Sequence, residues 1–199
     1  VYDFVVIWAD FPIDLGRGVF AFSSIVQNNI QGIGMDMFNV SRFFNSEKLQ
    51  AFLSMGFLDN YPSDFNARFL GENTTLDIVA HESGHRWLAH SLALVDGIKT
   101  EDMLGRQNSH WNFYMDSDAS LLEGNDIRDN NDGTFTTIGA VSTYSKLDRY
   151  LMGFVGPNAV PPLFFVRLSP VQDKGRAPQS GVTFSGSRIN INMEQILQA

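Results

Sequence analysis

Two histidines and a glutamate stand in the order His81-Glu82-Ser83-Gly84-His85, a spacing that suits metal-assisted hydrolysis. If this segment is helical, His85 lies about 40° round the axis from His81 and one turn further along, so both imidazoles address one point. A tetrahedral zinc site uses two such rings as ligands. Glu82 lies about 60° from His85. From there its carboxylate can take a proton from a zinc-activated water without displacing a histidine.

Residues 75–96, which contain this motif, have the pattern of one long helix. Thr74 and Asp77 are spaced as a capping box, and Gly97 stands where a glycine commonly ends a helix. Apolar residues fall on nearly every face, which is typical of a helix in the core. Polar groups inside such a helix are costly unless they are paired or bound to a metal. The pattern therefore predicts a metal site, with hydrogen-bonded core histidines as the alternative.

The motif and its surroundings resemble a known family. His81-Glu82-Ser83-Gly84-His85 is similar to the active-site helix of the zincin metallopeptidases, and residues 66–71, 85–87, 110–111 and 147–153 resemble peptidase domains of large secreted bacterial proteins. The resemblance implies one catalytic zinc ion, a peptide or protein substrate and a secreted or extracellular bacterial location. It also implies a twisted mixed sheet whose edge strand aligns the peptide over a buried active-site helix. Residues 33–38 are our candidate for that edge strand.

A zinc site of this kind needs a third protein ligand, and the sequence offers several. The metzincin continuation fails, because Leu88 and Ser91 occupy its glycine and third-histidine positions. On a continuing helix His90 would face about 160° away from the ligand pair. Glu101 and Glu123 do not sit in a convincing helical frame, and an aspartate ligand, Asp116 or Asp118, is a further possibility. We favour His110, which follows a glycine-containing loop, because imidazole is the better zinc ligand where thiolates are absent.

Other polar residues are candidates for supporting roles. Asp116 and Asp118 suit either a hydrogen bond from a ligand histidine or a solvated acidic loop. Tyr144 or Tyr150 could donate to the oxyanion of a tetrahedral intermediate, and Asp148 could orient a neighbour or cap a helix.

Residues 126–133, with the sequence DIRDNNDG, have a superficial likeness to a calcium loop. Aligning the glycine with that of an EF-hand places Arg128 at the first ligand position, which breaks the frame. Calcium is therefore not supported, and an ordinary turn is predicted.

The remaining patterns predict an α+β fold in a single domain spanning residues 1–199. Enrichment in β-branched and aromatic residues favours strands over residues 3–10, 19–26, 134–141 and 163–168. Residues 46–55 and 145–152 have the flanking caps of short helices. The part that follows Gly97 is predicted to be rich in loops. Since the chain does not begin with Met, we expect it to be a fragment of a longer protein.

Composition excludes several functional classes. The 199 residues carry a formal net charge of −8, and no cluster of Lys and Arg offers a nucleic-acid surface. No apolar run reaches the roughly 18 residues that a membrane span needs. Cysteine is absent, which removes disulfides, thiol catalysis and Cys-based zinc sites.

These observations favour a zinc metallopeptidase, in which Glu82 is the general base and His81, His85 and His110 hold the metal. Two alternatives stay open. A degenerate zincin would keep the fold and the metal but serve as a binding or adhesion module. A metal-dependent hydrolase would act on non-peptide amides. The intact Glu82 argues against the degenerate form, because loss of the base is the usual first sign of it.

Overall fold

Two units make up the chain in the computed structural model, which describes residues 2–168 and 173–199. The N-terminal unit comprises Val1–Gln31 and Asp36–Arg86, and the C-terminal unit comprises Gly32–Met35 and Trp87–Ala199. The described residues form several sheets and three short helices, which confirms the predicted α+β class. The prediction of a single domain stays a prediction.

The N-terminal unit is built on a three-stranded sheet. The described part of this unit contains five strands, of which three form the sheet. They are β1 (Phe4–Ala9), β2 (Phe22–Ile25), β3 (Gln27–Asn28), β4 (Phe38–Asn39) and β5 (Ala51–Phe57). The order in the sheet is β1-β5-β2, with β5 parallel to β1 and antiparallel to β2. The strands predicted over residues 3–10 and 19–26 are thus confirmed as β1 and β2. β1 is an edge strand with half-exposed valines, not a buried one.

The helix predicted over residues 46–55 is wrong, because this segment contains β5, the central strand of the sheet. Ala51, Leu53 and Met55 are fully buried, while the residues between them are only partly covered. This alternation is the period of a strand. Ala, Leu and Met favour helices in isolation, but pairing with two neighbouring strands overrides that weak local preference.

Helix α1 (Thr75–Gly84) packs against this sheet. Ile78 of α1 joins Leu53, Met55 and Tyr61 in a core cluster that Trp8 and Phe20 border. The predicted capping box is present: the Asp77 amide donates to Thr74 Oγ1, and the Thr74 amide donates to Asp77 Oδ2. The helix is covered on one face only, since Leu76 is 63% exposed. The all-round burial that the apolar pattern indicated is therefore wrong.

The long helix predicted over residues 75–96 ends early, at Gly84. Ala89 adopts a left-handed backbone with φ of 60°, through which a right-handed helix cannot continue. Beyond it the chain forms a hairpin of β6 (Ala93–Val95) and β7 (Ile98–Thr100). The hairpin turns at Asp96 and Gly97, both with positive φ, so Gly97 is a hairpin glycine and not a helix terminator.

The C-terminal unit contains the largest sheet, in place of the loop-rich region that we predicted. Its strands are β8 (Met115–Asp116), β9 (Asn125–Asp129), β10 (Thr134–Ala140), β11 (Leu163–Arg167), β12 (Thr183–Ser185) and β13 (Ser187–Ile191). The order is β12-β10-β9-β8-β11-β13, antiparallel except between β8 and β9. Phe113, Tyr114, Phe135 and Phe164 lie in its core.

Several local predictions in the C-terminal unit are confirmed. Strands β10 and β11 lie where they were predicted, and the turn of the DIRDNNDG segment joins β9 to β10. Helix α2 (Lys146–Leu151) has the predicted capping box of Ser145 and Asp148. A third helix, α3 (Met193–Leu197), lies near the end of the chain. In the described part of the chain, no helix combines the length and the apolarity that crossing a bilayer requires.

The edge strand predicted over residues 33–38 is absent. Within this segment only Phe38 belongs to a strand, the two-residue β4. Gly34 has a positive φ of 84° and lies against the backbone carbonyl of His90, where a Cβ atom would come within 2.1 Å. Ser91 Oγ also donates to the Ile33 carbonyl oxygen, so side-chain and backbone packing replace the sheet pairing.

Candidate metal centre

The helical part of the predicted site lies on α1, as the motif required. His81 is in the last turn and His85 is the C-cap residue, still in right-handed helical conformation. Their Nε2 atoms are 3.2 Å apart, and the two ring planes meet at 81°. The four-residue spacing therefore brings both imidazole nitrogens to one place, beside the helix end.

This separation can be tested against the needs of a metal ion. Two imidazole nitrogens about 2.05 Å from one tetrahedral zinc ion lie about 3.3 Å apart. The observed 3.2 Å between the Nε2 atoms agrees with that value. The same distance also suits an N–H···N hydrogen bond between two neutral rings, one donating and one accepting. The separation of the two nitrogens is therefore compatible with a shared zinc ion and with a direct hydrogen bond.

Glu82, the predicted general base, is on the same helix and is only 5% exposed. Its charge reaches Tyr61, whose pKa is raised mainly by burial and further by Glu82. Tyr61 therefore keeps its proton and donates it to the Met55 carbonyl oxygen at 2.7 Å. A buried carboxylate on this helix is held in a medium where its charge acts strongly.

The end of α1 is anchored by Arg86, which sequence reasoning did not single out. The residue is 1% exposed, and its guanidinium group donates to Asn28 Oδ1 at 3.0 Å and to Gln50 Oε1 at 2.9 Å. Burial lowers the pKa of Arg86. These contacts to residues far away in sequence hold the segment directly after His85 in the N-terminal unit.

His110 belongs to the C-terminal unit, where it is 6% exposed. Its Nδ1 lies 3.1 Å from the Arg106 carbonyl oxygen. An N–H at Nδ1 donating to this carbonyl leaves the lone pair on Nε2, which is the tautomer that binds a metal through Nε2. Burial, the largest influence, lowers the pKa of His110. The ring is therefore neutral at pH 7, as a metal ligand must be.

The backbone around His110 is fixed from both sides. The Gly105 amide donates to the His110 carbonyl oxygen at 2.8 Å, and the Trp111 amide donates to the Leu122 carbonyl oxygen at 2.9 Å. The Trp111 indole donates to Asp148 Oδ1 at 2.9 Å. Asp148 thus caps α2 and also positions Trp111, so both of the roles considered for it are present. Burial is the main cause of its raised pKa.

Glu123 lies next to His110, with Oε1 3.9 Å from Nε2 of the ring. Arg106 holds it in a two-pronged ion pair, through Nε to Oε2 at 2.7 Å and through Nη2 to Oε1. Glu123 was one of the open ligand candidates. Arg106 was missed by sequence reasoning, because nothing in the sequence pairs it with a carboxylate seventeen residues away.

The other ligand candidates have different surroundings. Glu101 is exposed and lies 3.4 Å from Lys174 Nζ. His90 follows the break after α1, so the angle by which we placed it on a continuing helix does not apply. Asp116, Asp118 and Asp126 form an acidic group of their own, which in the described chain includes no histidine.

Within this acidic group, the pKa of Asp116 is shifted by its surroundings. Burial, with smaller contributions from Asp118 and Asp126, raises the pKa of Asp116 to about 6. Asp116 Oδ1 accepts a hydrogen bond from the Ile127 amide at 3.0 Å. Among the described residues no hydrogen bond joins Asp116 or Asp118 to a histidine, so the predicted support of a ligand histidine is not formed.

The two tyrosines considered as oxyanion donors are both half-buried. Burial, with a smaller contribution from Asp148, raises the pKa of Tyr144 to about 12, so its hydroxyl stays protonated and able to donate. Tyr150 lies on α2, and its role stays a prediction.

No family model, curated protein or solved structure matches this chain.

Proposed function

We propose that this chain is a zinc-dependent peptidase in which His81, His85 and His110 hold the metal and Glu82 is the general base. The observation that carries the proposal is the 3.2 Å separation of the His81 and His85 Nε2 atoms on one helix end. These two rings and His110 are one of two side-chain groups in the described chain whose ligand atoms could hold an ion. The neutral ring of His110, with its Nδ1 directed to a carbonyl oxygen, adds support.

Each residue has a separate task in this proposal. A bound zinc ion would acidify a water molecule and polarise a substrate carbonyl. Glu82 would take the proton of the attacking water at its carboxylate and return it to the leaving amine nitrogen. With three histidines as ligands, one position would stay open for water and substrate, as catalytic zinc sites require.

We further propose that the N-terminal unit is the zincin-like part of the fold. Support comes from its sheet, which packs on the motif helix α1, and from β2, an antiparallel edge strand of that sheet. β2 takes the place of residues 33–38 as the strand that would align an extended peptide. A secreted bacterial protein, also implied by the resemblance, stays part of the proposal.

The test compares the purified protein with its Glu82→Gln variant. The wild type should contain about one zinc per chain and cleave unfolded casein, with activity removed by a chelator and restored by zinc. Glu82→Gln keeps the shape of the side chain and removes the base, so zinc should stay while turnover falls by roughly a hundredfold or more. Equal cleavage by both proteins would overturn the role of Glu82.

A wild type that binds zinc but cleaves no peptide would favour one of the two alternatives. Turnover of non-peptide amide substrates would then indicate a different hydrolase. No turnover of either substrate class would indicate a binding module.

A further inference from the structure

A cleft of about 570 Å³ opens on the C-terminal unit beside the loop that carries His110. Its lining residues are Gly105, Arg106, Gln107, Asn108, Lys174 and Gly175. The charged residues in this lining are both cationic. Each of them already has a carboxylate partner, Glu123 for Arg106 and Glu101 for Lys174. The cleft can therefore attract an anion only through the donors that these ion pairs leave open.

The cations of the cleft keep hydrogen-bond donors for a further partner. Arg106 uses one N–H of Nε and one of Nη2 for Glu123. A guanidinium group has five N–H donors, so three of them remain for another acceptor. Among the described residues Lys174 pairs with Glu101 at 3.4 Å, and its side chain is 38% exposed. The amide side chain of Gln107 can add further donors, whereas Asn108 Nδ2 already donates to Glu101 Oε2 at 3.4 Å.

The cleft and His110 share the same stretch of backbone. The Arg106 carbonyl oxygen accepts from His110 Nδ1, and the Gly105 amide donates to the His110 carbonyl oxygen. Glu123 Oε1 pairs with the Arg106 guanidinium group and lies 3.9 Å from His110 Nε2, so this ion pair also stands next to the other ring nitrogen. A group bound to Arg106 in the cleft would therefore lie close to His110.

We propose that this cleft receives a carboxylate of the peptide substrate, either an Asp or Glu side chain or the C-terminal carboxylate. The inference rests on the proposed peptidase function and names a substrate class for it. A planar carboxylate matches the Nη1–Nη2 edge of the Arg106 guanidinium group, which the pair with Glu123 leaves open, and Lys174 adds a second cationic donor. The cleft would thus select acidic peptides, which the protein's net charge otherwise repels.

The first experiment measures binding without catalysis. Metal-free protein carrying Glu82→Gln is titrated with acetyl-Ala-Ala-Glu-amide, and backbone amide shifts of residues 105–108 and 174–175 are followed by NMR. The same titration uses acetyl-Ala-Ala-Gln-amide, and acetyl-Ala-Ala-Ala with a free or an amidated C-terminus. The glutamyl peptide tests whether the cleft binds a side-chain carboxylate, and the free-acid peptide tests whether it binds a C-terminal carboxylate.

We expect one of the two carboxylate peptides to bind at least about tenfold more tightly than its neutral counterpart, because charged hydrogen bonds are lost in the latter. Lys174→Glu should abolish this preference. Lys99→Glu is the matched control, since it makes the same charge change at an exposed residue of β7 and should leave the preference intact. Equal shifts with acidic and neutral peptides, or an unchanged preference in Lys174→Glu, would overturn the proposal. In that case Arg106 and Lys174 serve only to stabilise the loop that carries His110.

The second experiment measures which peptide bonds are cleaved. A proteome-derived peptide library is digested with wild type, Lys174→Glu and Lys99→Glu, and the cleaved bonds are identified by mass spectrometry. A carboxylate enriched at a fixed distance from the cleaved bond, and lost only in Lys174→Glu, supports the cleft. Cleavage without any such enrichment counts against it. Carboxylate binding at residues 105–108 without cleavage by any of the three proteins would overturn the peptidase function and leave the binding site standing.

Discussion

The two parts of the proposed metal centre are positioned in different ways. His81 and His85 lie four residues apart on α1, and the capping box that begins this helix joins residues only three apart. His110 lies in a loop whose neighbours are fixed by Leu122 and, through the Trp111 indole, by Asp148. The first arrangement is local, and the second depends on the tertiary structure.

This difference has a consequence for substitutions. Removing a local contact of α1 weakens one helix end, whose other contacts persist. Removing a distant partner of the His110 loop leaves buried donors without acceptors, which costs more free energy. The two regions should therefore respond very differently to changes that remove similar numbers of hydrogen bonds.

The largest expected effect is on zinc binding itself. His81→Ala together with His85→Ala should reduce the zinc content from about one per chain to background, because one imidazole cannot hold the ion alone. His110→Ala should weaken zinc binding by at least about a hundredfold, since one of three ligands is lost. Zinc content measured by mass spectrometry, with competition against a chelator for the affinity, gives both values.

Two variants serve as controls for that measurement. Asp116→Asn changes the acidic group, the other set of described side chains that could hold an ion, and should leave the zinc content at one. His90→Ala should also leave it unchanged. If His90→Ala loses zinc while His110→Ala keeps it, the third zinc ligand is His90 and not His110.

The next effect concerns the hydrogen bonds that Asp148 accepts from Trp111 and Ser145. Asp148→Ala removes the acceptor of the Trp111 indole at 2.9 Å and of the Ser145 amide at 2.7 Å, both in fully or nearly fully buried surroundings. We expect a loss of about 3 kcal/mol in the free energy of unfolding, measured in urea. Asp148→Asn keeps one acceptor and should cost about half as much. Equal stability of wild type and Asp148→Ala would show that these hydrogen bonds of Asp148 are dispensable.

A smaller effect should appear in the dependence of stability on pH. Burial raises the pKa of Asp116 to about 6, above its value in the unfolded chain. The folded state therefore binds this proton more tightly, and the resulting stability is fully present below about pH 4 and lost as pH rises through 6. The free energy of unfolding should fall by about 1–2 kcal/mol over this range, allowing for partial solvation.

Asp116→Asn should abolish this part of the pH dependence, because the amide does not titrate and still offers an acceptor to the Ile127 amide. Urea unfolding at pH 4, 5, 6 and 7 makes the comparison. A difference between variant and wild type that stays constant over these four pH values would contradict the raised pKa.

The smallest effect is expected at the local cap of α1. Thr74→Ala removes the acceptor of the Asp77 amide and should cost about 1 kcal/mol, with zinc content unchanged. Ser145→Ala is the matched variant at the capping box of α2. It should cost more, because Ser145 is buried and its partner Asp148 also holds Trp111. Equal costs would contradict the distinction between local and tertiary positioning.

Short-range features were determined by the sequence alone. Both capping boxes, the turn between β9 and β10, strands β1, β2, β10 and β11, and the convergence of His81 and His85 could all be predicted. Each depends on residues only a few positions apart, whose geometry follows from helix or strand periods. The α+β class could be predicted for the same reason.

Only the tertiary structure decided the rest. β5 is a strand because β1 and β2 pair with it, although its residues favour a helix locally. The end of α1 could not be seen in the sequence, because short apolar stretches such as residues 92–95 look alike in a buried strand and in a buried helix segment. The neutral ring of His110 and the Arg106–Glu123 pair arise from burial and from contacts across the folded chain. Such contacts leave no periodic signal in the sequence.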